Sequence, residues 1–198
     1  ALLSRGLGDV YKRQPLSQEL NEIWDNFSDD RDLWVAVLTG DGDKAFSAGN
    51  DLKYSAQPAE QKVQQPTSGF AGLTRRFNRT KPIIAAVNGF AMGGGMETAL
   101  CCDIIIASEN AKFALPEVKV GFFAAAGGVQ RLSRQIGKKA AVEIMLTGRS
   151  VLAAEAFELG IINEVVSHSS LMNVAMEKAK IIASNCPSSV RYSMEALN

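Results

Sequence analysis

Two glutamates and two small-residue loops are the parts of this sequence from which a reactive site could be built. Glu97 lies just after the glycine run Gly93, Gly94 and Gly95, where a helix is expected to begin. Bare glycine backbone at a helix start lets N–H groups face an anion or a carbonyl oxygen, assisted by the helix dipole. Glu117 follows Pro116 further along. The interval between the two glutamates holds a short helix, a strand and a return segment, so both carboxylates can be brought to one mouth. The second loop is Phe46-Ser47-Ala48-Gly49-Asn50-Asp51-Leu52-Lys53. Each feature also has an ordinary structural reading. Glycine runs make turns and tight packing, a first-turn Glu stabilises the helix dipole, and a Glu after Pro is usually a loop surface residue.

The elements that must position these residues alternate between strand and helix. Ile83 to Val87 is a short apolar, β-branched run, expected as a strand buried on both faces, with Pro82 at its start. Trp34 to Leu38, Ile104 to Ala107 and Ile161 to Val166 are expected as further buried strands, and Ala111 to Leu115 as a shorter extended piece. Leu16, Leu20, Ile23, Trp24 and Phe27 fall at helical spacing and predict an amphipathic helix ending near Ser28 to Asp30. Phe70, Leu73 and Phe77 predict another, with Arg75, Arg76 and Arg79 on its wet side. Helices are expected over Met96 to Cys101, from Ala126-Gly127-Gly128 to Gly137, over Lys138 to Thr147, up to Leu159, over Leu171 to Ala183 and from Ser188 to Leu197. Tyr54 to Gly69 is polar and carries no period. The alternation argues for a parallel α/β core with right-handed crossovers, in which chemistry sits where strands hand over to helices.

Composition narrows the function classes. The 198 residues are 46% apolar and 21% charged with zero formal net charge, ordinary for a globular enzyme-sized domain and unlike the basic balance of a nucleic-acid-binding domain. No apolar run approaches the length of a membrane span. Cys101, Cys102 and Cys186 make an odd count with two adjacent thiols, which points to buried free cysteines in a reducing compartment rather than disulfides or a metal site. The one histidine, His168, is expected in a solvated loop. Neither a nucleophile elbow, nor a P-loop, nor a dinucleotide fingerprint is present. Residues 1–14 lack a cap, a core face and the apolar stretch of a signal peptide, and are expected to be a non-family or disordered leader.

The strings FSAGNDLK, KPIIAAVNGFAMGGGMETALCCDIIIAS, FALPEVKVG, AGGVQRLSRQIG and LTGRSVLAAEAFELGIINEVV resemble the crotonase (enoyl-CoA hydratase/isomerase) superfamily, in that family's order from about Leu16 to Asn198. The resemblance implies an α/β fold with a ββα spiral core over residues 15–198, incomplete at both ends. It implies an acyl-CoA thioester as substrate, with no cofactor beyond the coenzyme A of that substrate, and assembly as a homotrimer or dimer of trimers when full length. An enolate-like thioester oxygen would be held by two backbone N–H groups, those of Asn50 and Gly94. The coenzyme A would lie along Ala48 and Asn50, Asp51, Leu52 and Lys53; Lys53 could meet a phosphate or simply be a solvated lysine. Hydratases of this kind carry glutamates at the positions of Glu97 and Glu117. The resemblance thus implies Glu117 as the main acid/base and Glu97 as the partner that orients water. Two neighbouring carboxylates disfavour double ionisation and so can hold different protonation states.

Three departures are expected to matter: the segment before Ala-Gly-Gly, the family's N-terminal strand-turn-strand, missing or replaced by residues 1–14, and the helices with which the family continues past Asn198. Where many hydratases have Pro-Gly before Ala-Gly-Gly, this chain has Phe123-Ala124-Ala125. The Ala125 methyl is expected near the water position, which keeps an enoyl-CoA isomerase or another CoA-thioester reaction as an alternative; a non-catalytic binding member is a third. A cytoplasmic or organelle-matrix location fits the reading. Lacking the family's terminal elements, these 198 residues alone are expected to expose apolar surface over Leu171 to Leu197 and to assemble weakly.

Overall fold

Strand Ile83–Val87 is buried at every position, as its all-apolar sequence requires. A computed structural model describes residues 2–4, 15–50 and 65–197, and in it this strand (β4) lies at the centre of a five-stranded sheet. The other strands are β1 (Leu2–Ser4), β2 (Ala36–Thr39), β6 (Ile104–Ser108) and β9 (Glu164–Val166), in the order β1-β2-β4-β6-β9, all parallel. Nothing in the sequence of residues 1–14 announces β1.

Side-chain alternation sorts β4 between two cores. Ile83, Ala85 and Val87 enter the main core, while Ile84 and Ala86 face a second one. The second core is closed by helix α6 (Leu171–Ala183), whose Leu171, Ala175 and Ala179 recur one turn apart on one face. The main core is closed by α1 (Pro15–Asp29) through Leu20, Trp24 and Phe27. Burying three side chains of this size contributes about 1.5–3 kcal/mol each.

The main core's other wall is a second sheet. Its strands are β3 (Ala45–Ser47), β5 (Phe90–Met92), β7 (Lys112–Ala114) and β8 (Ser150–Leu152), in the order β3-β5-β7-β8. The first three are parallel and β8 is antiparallel to β7. Each is 3 residues long, too short to set a period in the sequence. Only Ala111 to Leu115 had announced itself as extended. Helices α2 (Gly94–Cys101), α3 (Gly128–Gln135), α4 (Lys138–Thr147), α5 (Ala153–Glu158) and α7 (Pro187–Leu197) complete the described elements. None of the described helices is long and apolar enough to cross a membrane.

Three expectations fail here, one of them the strand over Ile161 to Val166, which forms only at Glu164–Val166. The helix over Phe70 to Phe77 does not form. Phe70–Gly72 is a single 3-10 turn, with Gly69, Ala71 and Gly72 at φ 84°, 54° and 62°. Bonds to α1 replace the intrahelical ladder: Trp24 Nε1–H donates to the Ala71 carbonyl at 3.0 Å, and the Ala71 N–H donates to Ser17 Oγ at 3.3 Å. Phe77, expected inward, is 67% exposed. Trp34 likewise stands outside β2 and is exposed, since the strand begins at Ala36.

Candidate active site

Three parallel strands of the second sheet deliver the site segments side by side. β3 ends at Ser47 and releases Ala48, Gly49 and Asn50. β5 ends at Met92 and releases Gly93 to Gly95. β7 ends at Ala114, with Pro116 and Glu117 just beyond. The Gly93 N–H donates to the Ala114 carbonyl at 2.8 Å, tying the second segment to the third. Asn88 anchors the approach: its amide bonds both ways with Gly40, at 3.2 and 3.3 Å, and reaches the Gly42 carbonyl at 2.8 Å.

The glycines are places of close approach. A Cβ on Gly49 would stand 2.6 Å from the Met92 carbonyl oxygen and 3.0 Å from the Gly94 nitrogen, and Gly49 has φ 84°. The β3 loop therefore lies directly on the start of α2. Gly94 is buried and opens α2, where helix geometry supplies no intrahelical acceptor for its N–H. A Cβ there would be 2.8 Å from Phe70 Cε1, so the Phe70 ring covers Gly94. Ala48 and Asn50 are exposed beside it. Asp51, Leu52 and Lys53 lie outside the described residues.

Glu97 sits in the first turn of α2 and is 3% exposed. Its Oε1 accepts the Gly128 N–H at 2.9 Å. Burial above all, with the Glu117 charge adding to it, pushes its carboxyl up to about 7, against the opposing pull of the Gly128 and Ala126 N–H groups and the Arg131 charge. Glu117 occupies a 3-10 turn (Pro116–Val120). Its Oε1 would be 2.9 Å from a Cβ on Gly93, the residue that caps the helix bearing Glu97. Among the described residues its Oε2 is buried and has no hydrogen-bond partner. Burial raises the Glu117 carboxyl as well. The structure thus brings Glu97, Glu117, Gly94 and the Gly49–Asn50 backbone together. Burial raises both carboxyls, and the Glu117 charge raises Glu97 further toward its protonated form, so the pair is suited to hold and pass a proton.

Sequence reasoning passed over the Ala126–Gly128 turn as a Glu97 partner, although its glycines offered the same bare N–H argument as Gly93 to Gly95. It singled out Ala125, while the buried methyl of this segment is that of Ala124. Ala125 is exposed, whereas Ala124 is 5% exposed, and a Cβ on Gly128 would stand 2.8 Å from the Ala124 Cβ. His168 is half-buried, with Nδ1 3.4 Å from Ser108 Oγ, away from the glutamates in its 3-10 turn (His168–Ser170).

Comparison with known proteins converges on one family. The family model for enoyl-CoA hydratase/isomerase matches residues 13–198. A carnitinyl-CoA dehydratase of Citrobacter koseri is 46% identical over 171 residues, covering 86% of this chain and 66% of the relative's length. The Escherichia coli K12 protein of the same name is 47% identical over the same length. Among solved structures, a carnitinyl-CoA dehydratase from Mycobacterium avium 104 superimposes with TM-score 0.91 at 40% identity, over 99% of this chain and 77% of that one. An enoyl-CoA hydratase from Bacillus anthracis gives TM-score 0.90 at 36% identity, over 99% and 77%. The chain thus spans about two thirds of the length of its curated relatives. On the family match, the superpositions and the two-sheet fold together, this chain belongs to the enoyl-CoA hydratase/isomerase family.

Proposed function

We propose that this chain carries the site of a hydro-lyase acting on a coenzyme A thioester, adding water across the 2,3-double bond of a 2-enoyl-CoA or removing it in the reverse direction. The observation that carries this reading is the buried, unpartnered Glu117 Oε2 in the electrostatic reach of a Glu97 carboxyl pushed up to about 7. A buried acceptor left open next to a second carboxyl is suited to take a proton from water or return one to carbon. The names of the bacterial relatives, carnitinyl-CoA dehydratase and enoyl-CoA hydratase, support the same reaction class.

In this reading the Asn50 and Gly94 N–H groups receive the thioester oxygen as charge develops on it. Fixed backbone donors need no reorganisation, and removing one such donor costs about 3 kcal/mol of transition-state stabilisation. The water oxygen bonds the substrate's C3, its proton passes to a carboxylate, and a proton is delivered to C2. Glu117 is the principal acid/base and Glu97 orients the water. Ala48, Asp51, Leu52 and Lys53 follow the coenzyme A. Coenzyme A enters as part of the substrate, and no separate cofactor takes part. Assembly as a trimer or dimer of trimers belongs to the same proposal.

The test is hydration of short 2-enoyl-CoA and of a carnitine-derived enoyl-CoA by the protein and by Glu117→Gln. Loss of hydration in the variant with substrate binding retained is expected. Unchanged turnover, or double-bond migration of 3-enoyl-CoA as the dominant reaction, overturns the reading.

A further inference from the structure

Arg131 on α3 has an unusual set of partners for a half-buried guanidinium. Among the described residues no carboxylate pairs with it at salt-bridge distance. Its Nη1 donates to the Ala126 carbonyl at 3.2 Å and its Nη2 to the Thr74 carbonyl at 2.9 Å. Its Cζ stands 5.9 Å from the centre of the Phe77 ring. A Cβ on Gly127 would fall 1.9 Å from Nη1, so the side chain folds back over the turn that precedes its own helix. That turn ends in the Gly128 N–H that binds Glu97. The carbonyl on the other side belongs to the segment whose Phe70 ring covers Gly94.

We propose that Arg131 is a positioning residue for the Glu97 carboxylate, clamping the Ala126–Gly128 turn that hydrogen-bonds it to the Phe70–Thr74 segment that covers Gly94. The proposal rests on the hydro-lyase reading for its effect on rate, and on the clamp geometry together with the Arg131 charge for its effect on Glu97. A planar guanidinium fork suits two carbonyls pointing from different segments; an ammonium on a flexible stem does not hold both in one geometry. The clamp also leaves the positive charge without a carboxylate partner among the described residues, in reach of Glu97. Among the described residues the charged groups that reach Glu97 are Arg131 from α3 and Glu117 from the turn after β7, and Arg131 acts to lower its carboxyl while Glu117 raises it. Cys101, on α2 with Glu97, is a neutral thiol pushed up to about 11. Removing Arg131 therefore removes the one cation in this set.

The experiment combines kinetics with a carboxyl-carbon NMR titration of Glu97, assigned through Glu97→Gln. In Arg131→Met, kcat for 2-enoyl-CoA hydration is expected to fall by about 10- to 100-fold with KM nearly unchanged, and the Glu97 titration to move to higher pH. Arg131→Lys keeps the charge and loses the fork; its Glu97 titration is expected between those of the parent and the Met variant while kcat still falls. A Met variant with unmoved Glu97 titration overturns the proposal, even if its rate falls. If the Met variant does not fold, parental kcat in Arg131→Lys overturns the clamp. A parent protein that hydrates no 2-enoyl-CoA refutes the hydro-lyase reading, and the titration then still decides the positioning role.

Discussion

The Glu97 carboxylate is held by the backbone N–H of Gly128 at 2.9 Å, a bond between the first turn of one helix and the start of a later helix. The bond orients a carboxyl that is almost fully buried. Burial dominates, so the carboxyl keeps its proton to about pH 7.

That raised carboxyl makes stability depend on pH in a defined direction. The folded state holds a proton that the unfolded chain releases above 4.5, so the site is least costly below 4.5 and its cost grows as pH rises to about 7. Glu97→Gln keeps an acceptor for Gly128 and removes the titration. The variant is expected to gain stability over the parent as pH rises from 4.5 to 7, by up to about 3 kcal/mol, and to lose hydration activity. Thermal melts of both proteins across that range check it; a constant difference in Tm would refute the assignment.

Glu117 and Glu97 oppose each other's charge. Glu117→Gln is expected to shift the Glu97 titration to lower pH and to reduce kcat by about 100- to 10,000-fold. NMR titration and steady-state assays of the same preparation read both effects.

Gly49 has φ 84° and no room for a side chain against the Met92 carbonyl and the Gly94 nitrogen. Gly49→Ala is expected to destabilise the protein by roughly 1–3 kcal/mol from backbone strain alone. It is also expected to separate the Asn50 and Gly94 N–H groups, lowering kcat more than it raises KM. Denaturant unfolding with parallel kinetics distinguishes this from simple loss of folded protein.

The thiols should divide by environment. Cys101 and Cys102 are buried, and burial pushes the first up to about 11 and the second higher still. Cys186 is exposed, and N–H groups of Ser189 and Ser188 with the Ser189 hydroxyl pull it below the usual thiol value. Alkylation of the native protein at neutral pH is expected at Cys186 alone, and at all 3 cysteines after denaturation, as read by intact mass.

Long periodic or all-apolar segments were legible in the chain. β4 begins and ends where its apolar run does, and α4 and α6 keep the bounds that their patterns set. Phe70 to Phe77 misled because three apolar residues at helical spacing cannot report that two glycines adopt positive φ and that α1 takes the backbone bonds. The second sheet was legible only at Ala111 to Leu115, since strands of three residues are set by their neighbours and leave no period.

By itself the sequence determined the parts: a glycine-lined helix start, two glutamates, a small-residue loop and the family whose motifs they form. Residue type and local spacing are enough for that, because helix starts and buried strands are written locally. Only the tertiary structure decided that β3, β5 and β7 release those parts side by side, that Gly128 holds Glu97, and that Glu117 keeps an open buried oxygen. Proton affinity follows burial and nearby charge, and both are supplied by residues far away in the chain.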